Sequence, residues 1–189
     1  MTDLPTSDQV RSEVDAFIDA HWSDVITTGE WWVRLAEAGY ASPTLPVEAG
    51  GRGWPHDLAA AVASALSRRE VLGPPGGLGL LLAAPTIAHH ATREQVAEYL
   101  PPILDGTAGW CQLFSEPQAG SDLAGLQTRA VRDGDEWVIT GQKVWTSTAQ
   151  TADLAMLLAR TDPDAPKHQG ITYFVIEMDQ PGIEIRPLR

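Results

Sequence analysis

Through roughly the first hundred residues, apolar side chains recur at helical spacing, and most runs open on a residue suited to cap them. In Thr6-Ser7-Asp8-Gln9 the threonine hydroxyl can accept from the Gln9 backbone N–H while the Gln9 side chain reaches back, a reciprocal pairing that starts a helix. Val10, Val14, Phe17 and Ile18 then share one face. The same pattern returns at Thr27-Thr28-Gly29-Glu30, ahead of Trp31, Trp32, Leu35 and Ala38, with Gly39 as a stop. Residues 40–46 read as extended, and the turn Ala49-Gly50-Gly51-Arg52-Gly53 follows. Asp57 is expected to cap a third helix with Leu58, Val62, Ala65 and Leu66 as its stripe, ending near Gly73-Pro74-Pro75. Residues 78–88 are apolar nearly all round, which predicts a buried helix bent or restarted at Pro85. Thr92 and Gln95 open a last short helix that Pro101-Pro102 should close.

At about Gly106 the period changes. Strand-like runs are expected at residues 109–114, 126–132, 136–146, 154–160, 171–178 and 183–186, with Asp133-Gly134 as a hairpin turn. No helical segment separates them, so the sheet should be mostly antiparallel. The fold class expected is α+β, with an all-α helical domain over 1–106 and a largely antiparallel, β-barrel-like domain over 107–189. The last run stops with no polar tail and no helix to cover an edge, a liability that native chains usually manage. An incomplete β domain is the expectation.

Composition narrows the function classes. The chain has 189 residues, 43% of them hydrophobic, enough for one substantial core or two small ones. A formal net charge of −12, with Lys143 and Lys167 as its two lysines, leaves no basic stripe for nucleic acid. No apolar stretch approaches membrane-spanning length and no secretory signal opens the chain, so a cytoplasmic setting without membrane insertion is expected. Cys111 is a lone cysteine, read as a packed strand residue. Adjacent His89 and His90 diverge by about 100° on a helix and would share a metal poorly, so no metal site is expected. Neither Gly77-Leu78-Gly79 nor Gly50-Gly51-Arg52-Gly53 completes a nucleotide-binding glycine loop.

Two stretches carry candidate chemistry: Phe114-Ser115-Glu116-Pro117-Gln118-Ala119-Gly120-Ser121-Asp122 and Gly141-Gln142-Lys143-Val144-Trp145-Thr146-Ser147. The first is a strand running into a tight loop that offers a hydroxyl and backbone amides to an anionic group. The second ends a strand with an aromatic plate beside hydroxyls. Read on the residues alone, an ordinary β-turn and a core tryptophan are the favoured description. Trp22, Trp31, Trp32 and Trp54 are read as core aromatics, as are Trp110 and Trp137 in the β domain.

In order and spacing, these motifs resemble the acyl-CoA dehydrogenase family over nearly the whole chain. Ser115-Glu116-Pro117 through Asp122, Gly141-x-Lys143-x-Trp145, Ala159-Arg160-Thr161 and Pro181-Gly182 resemble its middle domain. Leu35 to Gly39, Pro46 to Gly53 and Gln95 to Leu100 resemble its N-terminal domain. The resemblance implies FAD as cofactor, with Leu113, Phe114, Ser115, Ser121, Trp145, Thr146 and Ser147 lining it. Ser115 would hydrogen-bond the flavin ring, where threonine is commoner. Ser121 would lie near the flavin diphosphate and the CoA portion of the substrate. Trp145 would pack on the isoalloxazine, with Ser147 near N5.

The resemblance further implies α,β-dehydrogenation of an acyl-CoA thioester, an electron-transferring flavoprotein as acceptor, and a homo- or hetero-oligomer. The family's catalytic glutamate lies in a C-terminal helical bundle, so no catalytic residue is assigned here. Glu116 and Asp122 read as structural carboxylates. A non-catalytic remnant or partner subunit stands as the alternative, with an acyl-CoA oxidase or flavin monooxygenase on the same scaffold behind it.

Overall fold

The computed structural model describes residues 4–187 and forms two compact units, Met1–Thr107 and Ala108–Arg189. In the first, α1 (Ser7–His21), α2 (Thr28–Glu37) and α5 (Arg93–Leu104) each start on a complete capping box, built by Thr6 with Gln9, Thr27 with Glu30, and Thr92 with Gln95. Val10, Val14 and Ile18 of α1 pack with Trp31 and Leu35 of α2 and with the Leu58, Val62 and Leu66 stripe of α3 (His56–Arg68). The indoles of α2 also tie down the following chain: Trp31 Nε1 donates to the Leu72 carbonyl at 2.6 Å and Trp32 Nε1 to that of Gly73 at 2.9 Å. Outside this core, Arg68, the last residue of α3, and Arg69 at its cap reach carboxylates of α1, Asp15 and Asp19.

Three helical expectations need correction. The cap of α3 is Pro55, which makes no side-chain hydrogen bond; Asp57 lies in the first turn, where its charge still meets the positive helix end. Residues 79–83 form a π-helical turn leading into α4 (Ala84–His90), and Leu81 is 70% exposed. Only the small residues Gly79, Ala83 and Ala84, with Ile87, are fully buried, so the segment is buried along one stripe and not all round. Finally, α5 runs through Pro101 and Pro102 to Leu104. Burial of Leu100, Ile103 and Leu104 offsets the missing amide donors, and Asp105 N–H still reaches the Pro101 carbonyl at 3.0 Å.

The second unit is one five-stranded sheet of β1 (Trp110–Leu113), β2 (Arg129–Asp133), β3 (Glu136–Thr140), β4 (Leu154–Arg160) and β5 (Ile171–Glu177). Most of its pairing is antiparallel, as expected, with parallel contacts added at β1 and at the start of β2. β5 pairs antiparallel along all of β4, β1 pairs parallel with the start of β4 (Trp110↔Leu154), and β2 meets its end at Arg129↔Arg160, also parallel. The parallel pairing of β1 with β4 is possible without a helix because a parallel pair needs only a long crossover; the loop and the β2–β3 hairpin between β1 and β4 provide one.

The run expected at 136–146 leaves the ladder after Thr140, where Gly141 presses on Thr128; a Cβ there would lie 2.2 Å from Thr128 Oγ1. Residues 183–186 form no strand. Trp110 is buried, but Trp137 is 42% exposed, stacked edge-on against Phe174 at 5.5 Å, and so does not belong to the core.

Candidate functional site

The first motif begins where β1 ends. Leu113 is the last strand residue, and Phe114 and Ser115 continue half-buried into a turn closed by paired hydrogen bonds between Glu116 and Ala119, at 2.9 and 3.1 Å. Pro117 at the second turn position fixes the backbone for it. Ser121 stands exposed on the loop that follows, and the neighbouring Asp122 carboxylate pairs with Lys167.

The second motif docks directly on the first. Val144 N–H donates to the Ser115 carbonyl at 2.9 Å, and Lys143 Nζ donates to the Phe114 carbonyl at 3.0 Å and to Glu116 Oε1 at 2.9 Å. The Glu116 carboxylate also accepts from Gln118 Nε2 at 2.7 Å, Gln127 N–H at 2.7 Å and Thr128 N–H at 2.9 Å. Burial alone would raise its pKa. The Thr128 hydroxyl, the Gln127 amide, the Lys143 ammonium and the Thr128 amide together outweigh that and hold it down to about 2. Burial also pushes the Lys143 pKa down, against the pull of Glu116. Glu116 is therefore a structural carboxylate, ionised at neutral pH, in keeping with its reading from the sequence.

Beyond Val144 the chain turns sharply. Trp145 has φ 61° and Thr148 has φ 65°, both in the left-handed region that L-residues rarely adopt. The Trp145 indole is 75% exposed and Ser147 is exposed beside it. Thr146 Oγ1 is buried and has no hydrogen-bond partner among the described residues. Ser115 and residues 143–144 are thus in direct contact, Trp145 to Ser147 follow on the same loop, and Ser121 lies on a separate loop beyond the 116–119 turn.

An exposed aromatic plate beside an orphaned hydroxyl suits a flat heteroaromatic ring bearing hydrogen-bonding atoms, so the residues present fit a flavin. The expected site residues did not include the Glu116–Lys143 pair. Its one sequence signal was a rare lysine inside a strand-like run.

Other groups hold structure. Cys111 is fully buried with Ala155, Ala149 and Met178, and burial pushes its thiol up to about 11. Arg160, at the end of β4, donates to the Ala124 carbonyl at 2.7 Å and so holds the short 3-10 turn Leu123–Gly125. Among the described residues, no group of three His, Cys, Asp or Glu is placed to hold a metal, and no helix is long and apolar enough to cross a membrane.

Comparison with known proteins points one way. Residues 5–107 match the model of the acyl-CoA dehydrogenase N-terminal domain, and residues 111–189 that of the acyl-CoA dehydrogenase middle domain. The acyl-CoA dehydrogenase FadE34 of Mycobacterium tuberculosis is 50% identical over 157 residues, 83% of this chain and 22% of that protein. Among solved structures, the Tcur3481–Tcur3483 steroid ACAD superposes with a TM-score of 0.69 at 34% identity, covering 96% of this chain and 50% of its own. The ChsE4–ChsE5 complex from Mycobacterium tuberculosis superposes with a TM-score of 0.68 at 32% identity, covering 95% and 48%. The chain therefore spans about half the length of these solved chains.

Proposed function

The chain belongs to the acyl-CoA dehydrogenase family of FAD-dependent oxidoreductases, and on that premise we propose that it supplies the flavin-facing half of such an enzyme. The observation that carries this reading is the docking of the two motifs, which leaves the Trp145 indole exposed beside the unpartnered Thr146 hydroxyl. Leu113, Phe114 and Ser115 would offer backbone and hydroxyl groups to the ring edge, Trp145 would cover its face, and Thr146 and Ser147 would aim hydroxyls at it. Ser121 would meet the phosphate-bearing part of the cofactor or of an acyl-CoA substrate. FAD, when bound, supplies the acceptor for a hydride leaving the β-carbon. The role of this chain is to hold and orient the ring and to place donors where negative charge builds on it.

The proton leaving the α-carbon needs a base, and Glu116 cannot take it. Its carboxyl is ion-paired and held near 2, far below the range in which a base accepts a proton at neutral pH. The base would come from sequence outside these 189 residues, as would most of the acyl pocket. Electron-transferring flavoprotein is the proposed acceptor.

Titration with FAD tests the reading: tryptophan fluorescence should be quenched and the flavin absorbance bands should shift, and Trp145→Ala should remove most of the quenching. A folded chain that leaves the flavin spectrum unchanged would sink autonomous binding. A second reading, a partner subunit whose flavin site is completed by another chain, is favoured by the two-component names of both solved relatives. It predicts that FAD is taken up only after a second, bundle-carrying polypeptide is added.

A further inference from the structure

Two non-glycine residues in the left-handed region within one loop, Trp145 and Thr148, call for a cause. Each costs about 1 kcal/mol or more and persists only where its surroundings over-determine it. The surroundings are identifiable. Upstream, Lys143 is fixed to Glu116 and to the Phe114 carbonyl, and Val144 N–H to the Ser115 carbonyl. Downstream, Ala149 is buried and Thr151 N–H closes a turn onto the Thr148 carbonyl at 3.0 Å. The chain must reverse between these two anchors, and the reversal leaves the indole mostly in solvent, where it adds little to the packing of the unit.

Stability does not account for the upstream anchor. The side chains of Lys143 and Glu116 are 7% and 2% exposed, and apolar residues in place of a buried ion pair are often as stable or more so. What an apolar pair cannot do is bond at once to the Phe114 carbonyl and to the Gln127 and Thr128 amides.

We propose that Glu116 and Lys143 form a positioning pair that fixes segment 143–144 against 114–115, so that the Trp145 indole and Thr146 hydroxyl are presented at the site instead of collapsing onto the sheet. For the ligand it serves, this rests on the flavin reading above. Neither side chain is a catalytic residue; both act through Trp145 and Thr146.

The test uses the full chain with the double substitution Glu116→Gln/Lys143→Met, which removes both charges together and so strands neither in the interior. Two quantities are read: hydrogen exchange of the Val144 amide against those of Met156 and Leu157 in β4, and FAD affinity by fluorescence. The expected result is exchange at Val144 faster by about tenfold or more, unchanged β4 protection, and FAD binding weaker by about tenfold. Wild-type exchange at Val144 in the double variant overturns the proposal. So does an equal loss of protection at Met156 and Leu157, which would make the pair a general prop of the fold. If the wild-type chain takes up no FAD while Val144 still loses protection in the variant, the flavin reading fails and the positioning pair stands.

Discussion

The Arg52 guanidinium lies over the Tyr40 ring, 4.7 Å from its centroid, while the Tyr40 hydroxyl and Arg52 Nη2 converge on the same oxygen of Glu13, at 2.7 and 2.9 Å. The guanidinium also lies over the Trp54 ring at 5.0 Å, and Arg52 Nε caps the Ala38 carbonyl at the end of α2. A planar, stacked and forked cation is what arginine provides and lysine does not. Arg52→Lys should destabilise the helical unit by about 1 kcal/mol, and Arg52→Ala by about 2 kcal/mol, read from urea unfolding followed by tryptophan fluorescence.

Trp145→Gly separates ligand binding from folding. Glycine adopts φ 61° without strain, and the indole it removes is mostly in solvent. The melting temperature should hold or rise, by the equivalent of about 0.5–1 kcal/mol, while FAD affinity falls by about tenfold. A destabilised variant with wild-type FAD affinity would contradict both the strain and the assigned role.

Acid should act on the second unit through Glu116. Its folded-state pKa, about 2, lies below the ordinary 4.5, so its stabilisation is complete above about pH 4.5 and is lost as the pH falls towards 2. The loss is on the order of 3 kcal/mol at most. The desolvation cost of Lys143 is already present at neutral pH, so the pair's net worth is smaller than this acid-side loss. Denaturant unfolding at pH 6 and pH 3 measures the difference, and Glu116→Gln should flatten it.

Two glycines of the 49–53 turn should respond differently to alanine. A Cβ on Gly51 would lie 2.1 Å from the Leu45 carbonyl oxygen, a backbone atom that cannot step aside, whereas one on Gly53 meets open space and only its φ of 62° is unfavourable. Gly53→Ala should cost about 1 kcal/mol and Gly51→Ala clearly more, both measured by thermal melting.

The thiol of Cys111 is buried and pushed up to about 11, so it should stay silent to thiol reagents at pH 8 in the native chain and react fully once unfolded. Rapid native labelling would mean that the sheet opens locally around β1.

How much of this was legible follows from how local each signal is. The three capping boxes each span four residues, and all formed where the sequence placed them. The strand β4 appeared at its expected bounds, because a continuous apolar run between polar loops has one reading as a central strand. The antiparallel pairings of β2 with β3 and β4 with β5 followed from short connections. The parallel pairing of β1 was not legible, since β1 and β4 are joined by a long excursion that leaves no mark on either strand. The exposure of Leu81 and Trp137 depended on which faces find neighbours, and hydropathy alone assigned both to the interior. Both candidate stretches could be found as motifs, but not the bond between Glu116 and Lys143, 27 residues apart, that joins them.

The pairing of Trp110 with Leu154 also sets a timetable. As the chain is synthesised, β1 emerges first and must wait for the start of β4, 44 residues later, before it has a partner. β4 and β5 are separated only by the 161–170 loop and can zip as soon as both are made. The β2–β3 hairpin and the β4–β5 pair can therefore both form on local contacts, with β1 as the last and slowest strand to join. Until it does, Cys111 and the residues that lead to Ser115 stay open to solvent, chaperones and misplaced strands. The same strand that carries one wall of the candidate site is thus the one most exposed to failure while the protein is being made.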